Sequence, residues 1–291
     1  MTAGEPSARR LTIAAIRAMK RSAEPIVMVT AYDFATAQIV ERAGVDLVLV
    51  GDSAAMVVLG YETTRLVSVD EMLMLTRAAR RGAPASLLVG DLPFGTYESS
   101  NELAVATARR FAEAGCDAVK MEGGGATVER ARAVMAAGIP VMGHVGLTPQ
   151  KTGDREGFRV HGRTADGARE IITSAQALDS AGCFAIVAEA MPAPVARAVT
   201  EHVRAPVIGI GAGPGTDGQV LVLHDLVGLY DQHVPRYVKR YAEVKGSMID
   251  AVTRYAAEVR ARSFPGPEHV YRMEAGEEDK LGALLGVSDR H

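Results

Sequence analysis

One arrangement recurs along this chain and restricts its fold more than any other feature. A stretch rich in Ala, Arg and Glu ends in Gly, and a short apolar run follows. It occurs at Glu41-Arg42-Ala43-Gly44 before Val45–Val50, and at Arg80-Arg81-Gly82 before Ser86–Val89. It returns at Glu113-Ala114-Gly115 before Cys116–Met121, at Ala136-Ala137-Gly138 before Ile139–Met142, and at Ser180-Ala181-Gly182 before Cys183–Val187. Gly just past a helix takes the left-handed conformation that closes the last turn, and the chain can then enter a strand. The repeat is one of supersecondary structure and not of sequence.

Runs with strand character are Ile26–Thr30, Asp46–Gly51, Ser86–Gly90, Ala118–Met121, Pro140–Val145, Ala185–Ala188, Pro206–Ile210 and Gln219–Leu223. Most are continuously apolar, as expected of parallel strands covered on both faces. Capping-box patterns at Ser68-x-x-Glu71 and Ser99-x-x-Glu102 open two of the helical segments between them. Strands alternating with helices in this number predict an α/β protein, a single (β/α)8 TIM barrel. A doubly wound sheet usually places G-x-G-x-x-G after its first strand, and none follows Ile26–Thr30. Leu11–Met19 has the spacing of a helix covering the barrel floor, and Val234–Arg262 that of one or two amphipathic C-terminal helices. The expected division is a flexible N-terminus over 1–10, a catalytic barrel domain over 11–272 and a flexible tail over 273–291.

Composition narrows the class. With 291 residues the chain can bury a large core without disulfides. A formal charge of −3 gives no electrostatic case for nucleic acid or an anionic membrane. No apolar run is long enough to span a bilayer, and the N-terminus lacks a signal-peptide core. Cys116 and Cys183 sit outside any metal or redox spacing, so they read as buried reduced thiols. These features predict a soluble, cytoplasmic, globular protein.

Chemistry in such barrels sits where strands end at the C-terminal face. The exits carry Asp52 and Ser53, Asp91, Lys120 and Glu122, His144, Glu189, and His224-Asp225. A core strand has no structural need for a carboxylate at its exit, although a single Asp there often caps the next helix. Asp52, Asp91 and Glu122 together are hard oxygen donors of the kind that suits Mg2+. Lys120 and Glu122 lie two apart on one strand and share a face, which sets a cation for an anionic substrate beside the metal site. Glu189 ends an apolar strand and is partly desolvated, which suits a general base. His144 is either a second acid/base group or a hydrogen-bonded structural histidine. Gly209-Ile210-Gly211-Ala212-Gly213-Pro214-Gly215 lacks the ending of a P-loop and reads as close backbone packing near the mouth.

Several blocks, among them Val29-Thr30-Ala31-Tyr32-Asp33, Val50-Gly51-Asp52-Ser53, Asp91-Leu92-Pro93-Phe94-Gly95, Val119-Lys120-Met121-Glu122-Gly123-Gly124 and Gly143-His144-Val145-Gly146-Leu147-Thr148-Pro149-Gln150, resemble the ketopantoate hydroxymethyltransferase family. The likeness runs in order from about Leu11 to His269. The resemblance implies a (β/α)8 barrel that transfers a hydroxymethyl group from 5,10-methylenetetrahydrofolate to 3-methyl-2-oxobutanoate, giving 2-dehydropantoate for pantothenate biosynthesis. It also implies Mg2+, an enolate stabilised by that metal, and a homo-oligomer, a decamer. By motif, Asp52, Asp91 and Glu122 match the metal site, and Asp52, Ser53, Asp91 and Lys120 the oxoacid site. Glu189 matches the proton acceptor. Two rival readings are a C–C lyase or mutase of the isocitrate lyase kind, whose relatives often use a loop Cys, and a non-catalytic metabolite-binding barrel.

Overall fold

The computed structural model describes residues 11–152, 159–232 and 234–286. Eight strands close into a barrel in chain order: β1 (Ile26–Thr30), β2 (Leu47–Val50), β3 (Leu87–Asp91), β4 (Ala118–Glu122), β5 (Val141–Gly146), β6 (Ala185–Glu189), β7 (Val207–Ile210) and β8 (Gly218–Leu221). Every pairing is parallel, and β8 returns to β1 with Ile26 opposite Gly218. The helices are α1 (Ile13–Ser22), α2 (Phe34–Arg42), α3 (Ala54–Val57), α4 (Val69–Gly82), α5 (Asn101–Glu113), α6 (Ala126–Ala136), α7 (Pro149–Thr152), α8 (Ala165–Ala181), α9 (Ala193–His202), α10 (Leu223–Leu226), α11 (Val244–Arg260) and α12 (Glu277–Leu285). This is the predicted (β/α)8 barrel.

Strand alternation sorts the apolar residues into two cores. Val48, Val50, Leu88, Val119, Met121, Val141 and Ile186 point outward and pack under the helices. Met28, Leu47, Leu87, Val89, Ala118, Met142, Phe184 and Val187 fill the barrel, where Ile16 and Met19 of α1 join them from below. The N-terminal helix therefore closes the floor, as its spacing predicts. Lys20 of α1 is held 3.0 Å from Asp217 and donates to the backbone oxygens of Thr200 and Ala205.

The structure corrects three local expectations. Ser68 and Glu71 form the expected capping box on α4, but the cap of α5 is Ser100, one residue beyond the predicted Ser99. No helix joins β7 to β8; the chain returns directly over 211–217. Gly211 and Gly213 make this possible, with φ values of +61° and +79° in the left-handed region that side chains disfavour. Only Val244–Arg260 of the segment Val234–Arg262 is helical.

By compactness the chain divides between Ala242 and Glu243. The second unit carries α11 and α12, with the Phe264 ring against Tyr255 and His269. The expected flexible N-terminus, 1–10, lies outside the described residues. Within the segment expected as a tail, Glu277–Leu285 forms α12.

Candidate active site

The inward rows that fill the barrel end in charge at its mouth. On β3 the row Leu87, Val89 ends at Asp91; on β4 Ala118 is followed by Lys120 and Glu122; on β5 Met142 is followed by His144; on β6 Ala185, Val187 ends at Glu189. Asp91, Lys120, Glu122 and His144 are all at most 4% exposed. Asp52 and Ser53 enter from the turn after β2. Asp52, Ser53, Asp91, Lys120, Glu122, His144 and Glu189 line one cavity of about 130 Å³, whose other walls are largely apolar, with Leu49, Val187, Ile210, Val220 and Val222 among them.

Lys120 organises the charges. Its Nζ lies 2.8 Å from Asp91 Oδ1 and 3.7 Å from Glu122 Oε1. Burial works against its positive charge, but Asp91, Glu122 and Asp52 outweigh that and raise its pKa. Asp52 stands well above the usual carboxylate range, because it is desolvated and faces the charges of Asp91 and Glu122. Asp91 is raised by burial too, with Lys120 opposing. Glu122 is lowered: burial pushes it up, but His144, Lys120 and the Gln150 N–H more than compensate.

His144 bridges two carboxylates. Its Nδ1 is 3.3 Å from Glu122 Oε1 and its Nε2 is 3.1 Å from Glu189 Oε2. Desolvation and Lys120 pull its pKa down, Glu122 and Glu189 pull harder, and it is pushed up to about 9. His144 thus stands between Glu122 and Glu189.

Glu122 has little left for a metal, since its Oε2 accepts the Gln150 N–H at 3.0 Å while Oε1 faces His144 and Lys120. Among the described residues no three Asp, Glu, His or Cys side chains are grouped as a metal centre. The donor set still fits one divalent cation. Five carboxylates (Asp52, Asp91, Glu122, Glu189 and Asp225) and two cationic side chains (Lys120 and His144) line the cavity, and Asp52 and Asp91 are raised by burial first and by neighbouring carboxylates second. Two hard carboxylates with water completing the shell is the usual protein environment of Mg2+.

The model of the family described as ketopantoate hydroxymethyltransferase matches residues 10–267. The chain belongs to that family. A 3-methyl-2-oxobutanoate hydroxymethyltransferase of Oleidesulfovibrio alaskensis is 50% identical over 97% of this chain and 97% of its own length. One from Chloroflexus aurantiacus is 48% identical over 97% and 99%. Among solved structures, a phosphonopyruvate hydrolase with oxalate and Mg2+ superposes at TM-score 0.60 with 15% identity, over 96% of this chain and 98% of that one. A 2,3-dimethylmalate lyase superposes at 0.55 with 15% identity, over 94% and 99%. At such identities these two show likeness of fold alone.

Sequence reasoning missed the residues that orient this family's charged mouth. Gln150 is 1% exposed; its amide donates to Asp52 Oδ2 at 2.9 Å and to the Leu92 carbonyl at 3.0 Å. The Tyr97 hydroxyl donates to Gln150 Oε1 and accepts the Glu122 N–H. Tyr32 hydrogen-bonds Ser53 Oγ at 2.8 Å. Gln150 closed one recognised block and Tyr32 stood in another, and those were the signals available. Cys183 lies in the outer core, Cys116 packs against it, and neither lines the cavity. No helix among the described residues is long and apolar enough to cross a membrane.

Proposed function

We propose that this barrel mouth binds 3-methyl-2-oxobutanoate and adds to its C3 the hydroxymethyl group carried by 5,10-methylenetetrahydrofolate, giving 2-dehydropantoate for pantothenate biosynthesis. The observation that carries the reading is the joining of two functions in one small cavity: a carboxylate-flanked lysine on β4 and a separate carboxylate, Glu189, two strands along the barrel on β6.

Asp52 and Asp91 would hold Mg2+ directly and Glu122 through water. Bound there, the ion supplies Lewis acidity to the 2-oxo group and so acidifies the neighbouring C–H. Lys120 binds the substrate carboxylate and balances negative charge that develops on the oxo oxygen. Ser53, fixed by Tyr32, offers a hydroxyl to the same group. Glu189 takes the C3 proton, and His144, whose Nε2 lies 3.1 Å from Glu189 Oε2, holds its carboxylate in position. Leu49, Val187 and Val220 provide the apolar wall for the branched methyl groups.

A lyase or mutase using a loop thiol finds no support in the position of the two cysteines, since neither lines the cavity. A pure binding barrel has no use for a base at Glu189. The helix α11 leaves Met248, Val252, Tyr255 and Val259 exposed at helical spacing, which supports a homo-oligomer, a decamer by family resemblance. The chain's place is the cytoplasm on this reading. The test is product formation from oxoacid and methylenetetrahydrofolate with and without Mg2+; the absence of 2-dehydropantoate under saturating conditions overturns it.

A further inference from the structure

The cavity at the mouth is small. A void of about 150 Å³ is the scale that takes a benzene-sized guest, and at about 130 Å³ this one suits a five-carbon oxoacid and not a folate. The larger co-substrate must present its one-carbon unit from the rim.

One part of the rim is built for a flat ring. The segment after α10 brings Tyr230, Pro235 and Tyr237 to the cavity edge. The Tyr237 ring lies directly on the Gly-rich turn after β7: a Cβ added at Gly211 would meet its Cδ1 at 2.5 Å and its Cγ at 2.9 Å. That contact, together with the positive φ, explains why position 211 is glycine. Packed on one side, Tyr237 keeps 38% of its surface exposed at the mouth. Gly211 directly follows β7, whose Ile210 is the register partner of Glu189. The ring therefore borders the cavity beside the strand that carries the base, and burial and the charges of Glu189 and Asp225 raise its phenol pKa.

We propose that Tyr237, seated on Gly211, is the stacking surface for the pterin ring of the one-carbon donor. This rests on the reading above that the second substrate is a reduced folate. The ring gives a heteroaromatic π-face a pre-positioned partner at low entropic cost, because the glycine contact already fixes it.

The experiment separates the two substrates. In Tyr237→Leu, the KM for methylenetetrahydrofolate should rise about tenfold or more, the scale set by the loss of one aromatic stack. The same variant should lower the folate-independent exchange of the oxoacid C3 proton with deuterated water far less than it lowers folate-dependent turnover. Tyr237→Phe should recover most of the folate affinity, since it keeps the ring. A folate KM unchanged in Tyr237→Leu overturns the proposal. So does a Phe variant as impaired as the Leu one, which would assign the role to the hydroxyl. If the Leu variant does not fold, Tyr237→Met, which keeps apolar bulk on Gly211 without the ring, is read in its place, with the same two outcomes. Wild-type protein that exchanges the oxoacid C3 proton but forms no product with methylenetetrahydrofolate would instead remove the folate reading itself, leaving the two failures distinguishable.

Discussion

The lower and upper halves of the barrel use the same strands and the same inward rows, and differ in what those rows carry. At the floor Ile16, Ile26, Leu47, Leu87, Ala118 and Ala185 meet with at most 1% exposure, a dry core contributed by side chains with no polar atoms. Two residues further up the same rows stand Val89 and then Asp91, Lys120, His144 and finally Glu189. Burying charges costs more than packed apolar groups would, even when they are paired. The floor and the continuous parallel ladder supply the stability against which that cost is set. The lesson is a division of labour along one strand: the first residues hold the barrel together and the last residues act.

The sharpest way to break this comparison is at Glu189. Glu189→Gln keeps size and hydrogen bonding but cannot accept a proton, and kcat should fall about 10²–10⁴-fold. Oxoacid affinity should change little, and exchange of the C3 proton in deuterated water should stop. Exchange at wild-type rate would show that Glu189 is not the base. At the floor the opposite pattern is expected. Phe184→Ala should remove about 3–5 kcal/mol of unfolding stability, read by urea titration, while turnover per folded molecule is retained. A proportional loss of turnover would mean the halves are not separable.

A smaller effect is expected at the metal side. Asp91→Asn removes one of two proposed direct ligands and the near partner of Lys120, so the Mg2+ concentration for half-maximal activity should rise by about tenfold or more. Equal activity at low Mg2+ would exclude Asp91 as a ligand. The smallest effect concerns pH. His144 holds its proton more tightly in the folded chain, where its pKa is about 9, than at its ordinary 6.5. Its contribution to stability is therefore complete below about 6.5 and lost as pH rises through about 9. Denaturant midpoints of wild type and His144→Gln, compared across that window, should converge with rising pH; a constant gap would show that His144 is not charged in the fold.

Much of this was legible in the chain. Gly44, Gly115, Gly138 and Gly182 marked helix ends, and each has the left-handed φ that such ends require. Alternation then fixed which residues look inward: Lys120 and Glu122 share a face because two positions separate them, and Asp91 follows Leu87 and Val89 for the same reason. These are consequences of backbone geometry over a few residues. What the sequence could not decide depends on residues far apart in it. Gln150 reaches Asp52 across 98 positions, and Tyr97 reaches Gln150 across 53. The same is true of His144 between Glu122 and Glu189, and of Tyr237 on Gly211. The missing helix between β7 and β8 also belongs here, because it is closure of the barrel that brings Gly218 against Ile26. Local periodicity assigned each side chain its direction; only closure of the barrel assigned it a partner, since partners are set by distances that no stretch of sequence contains.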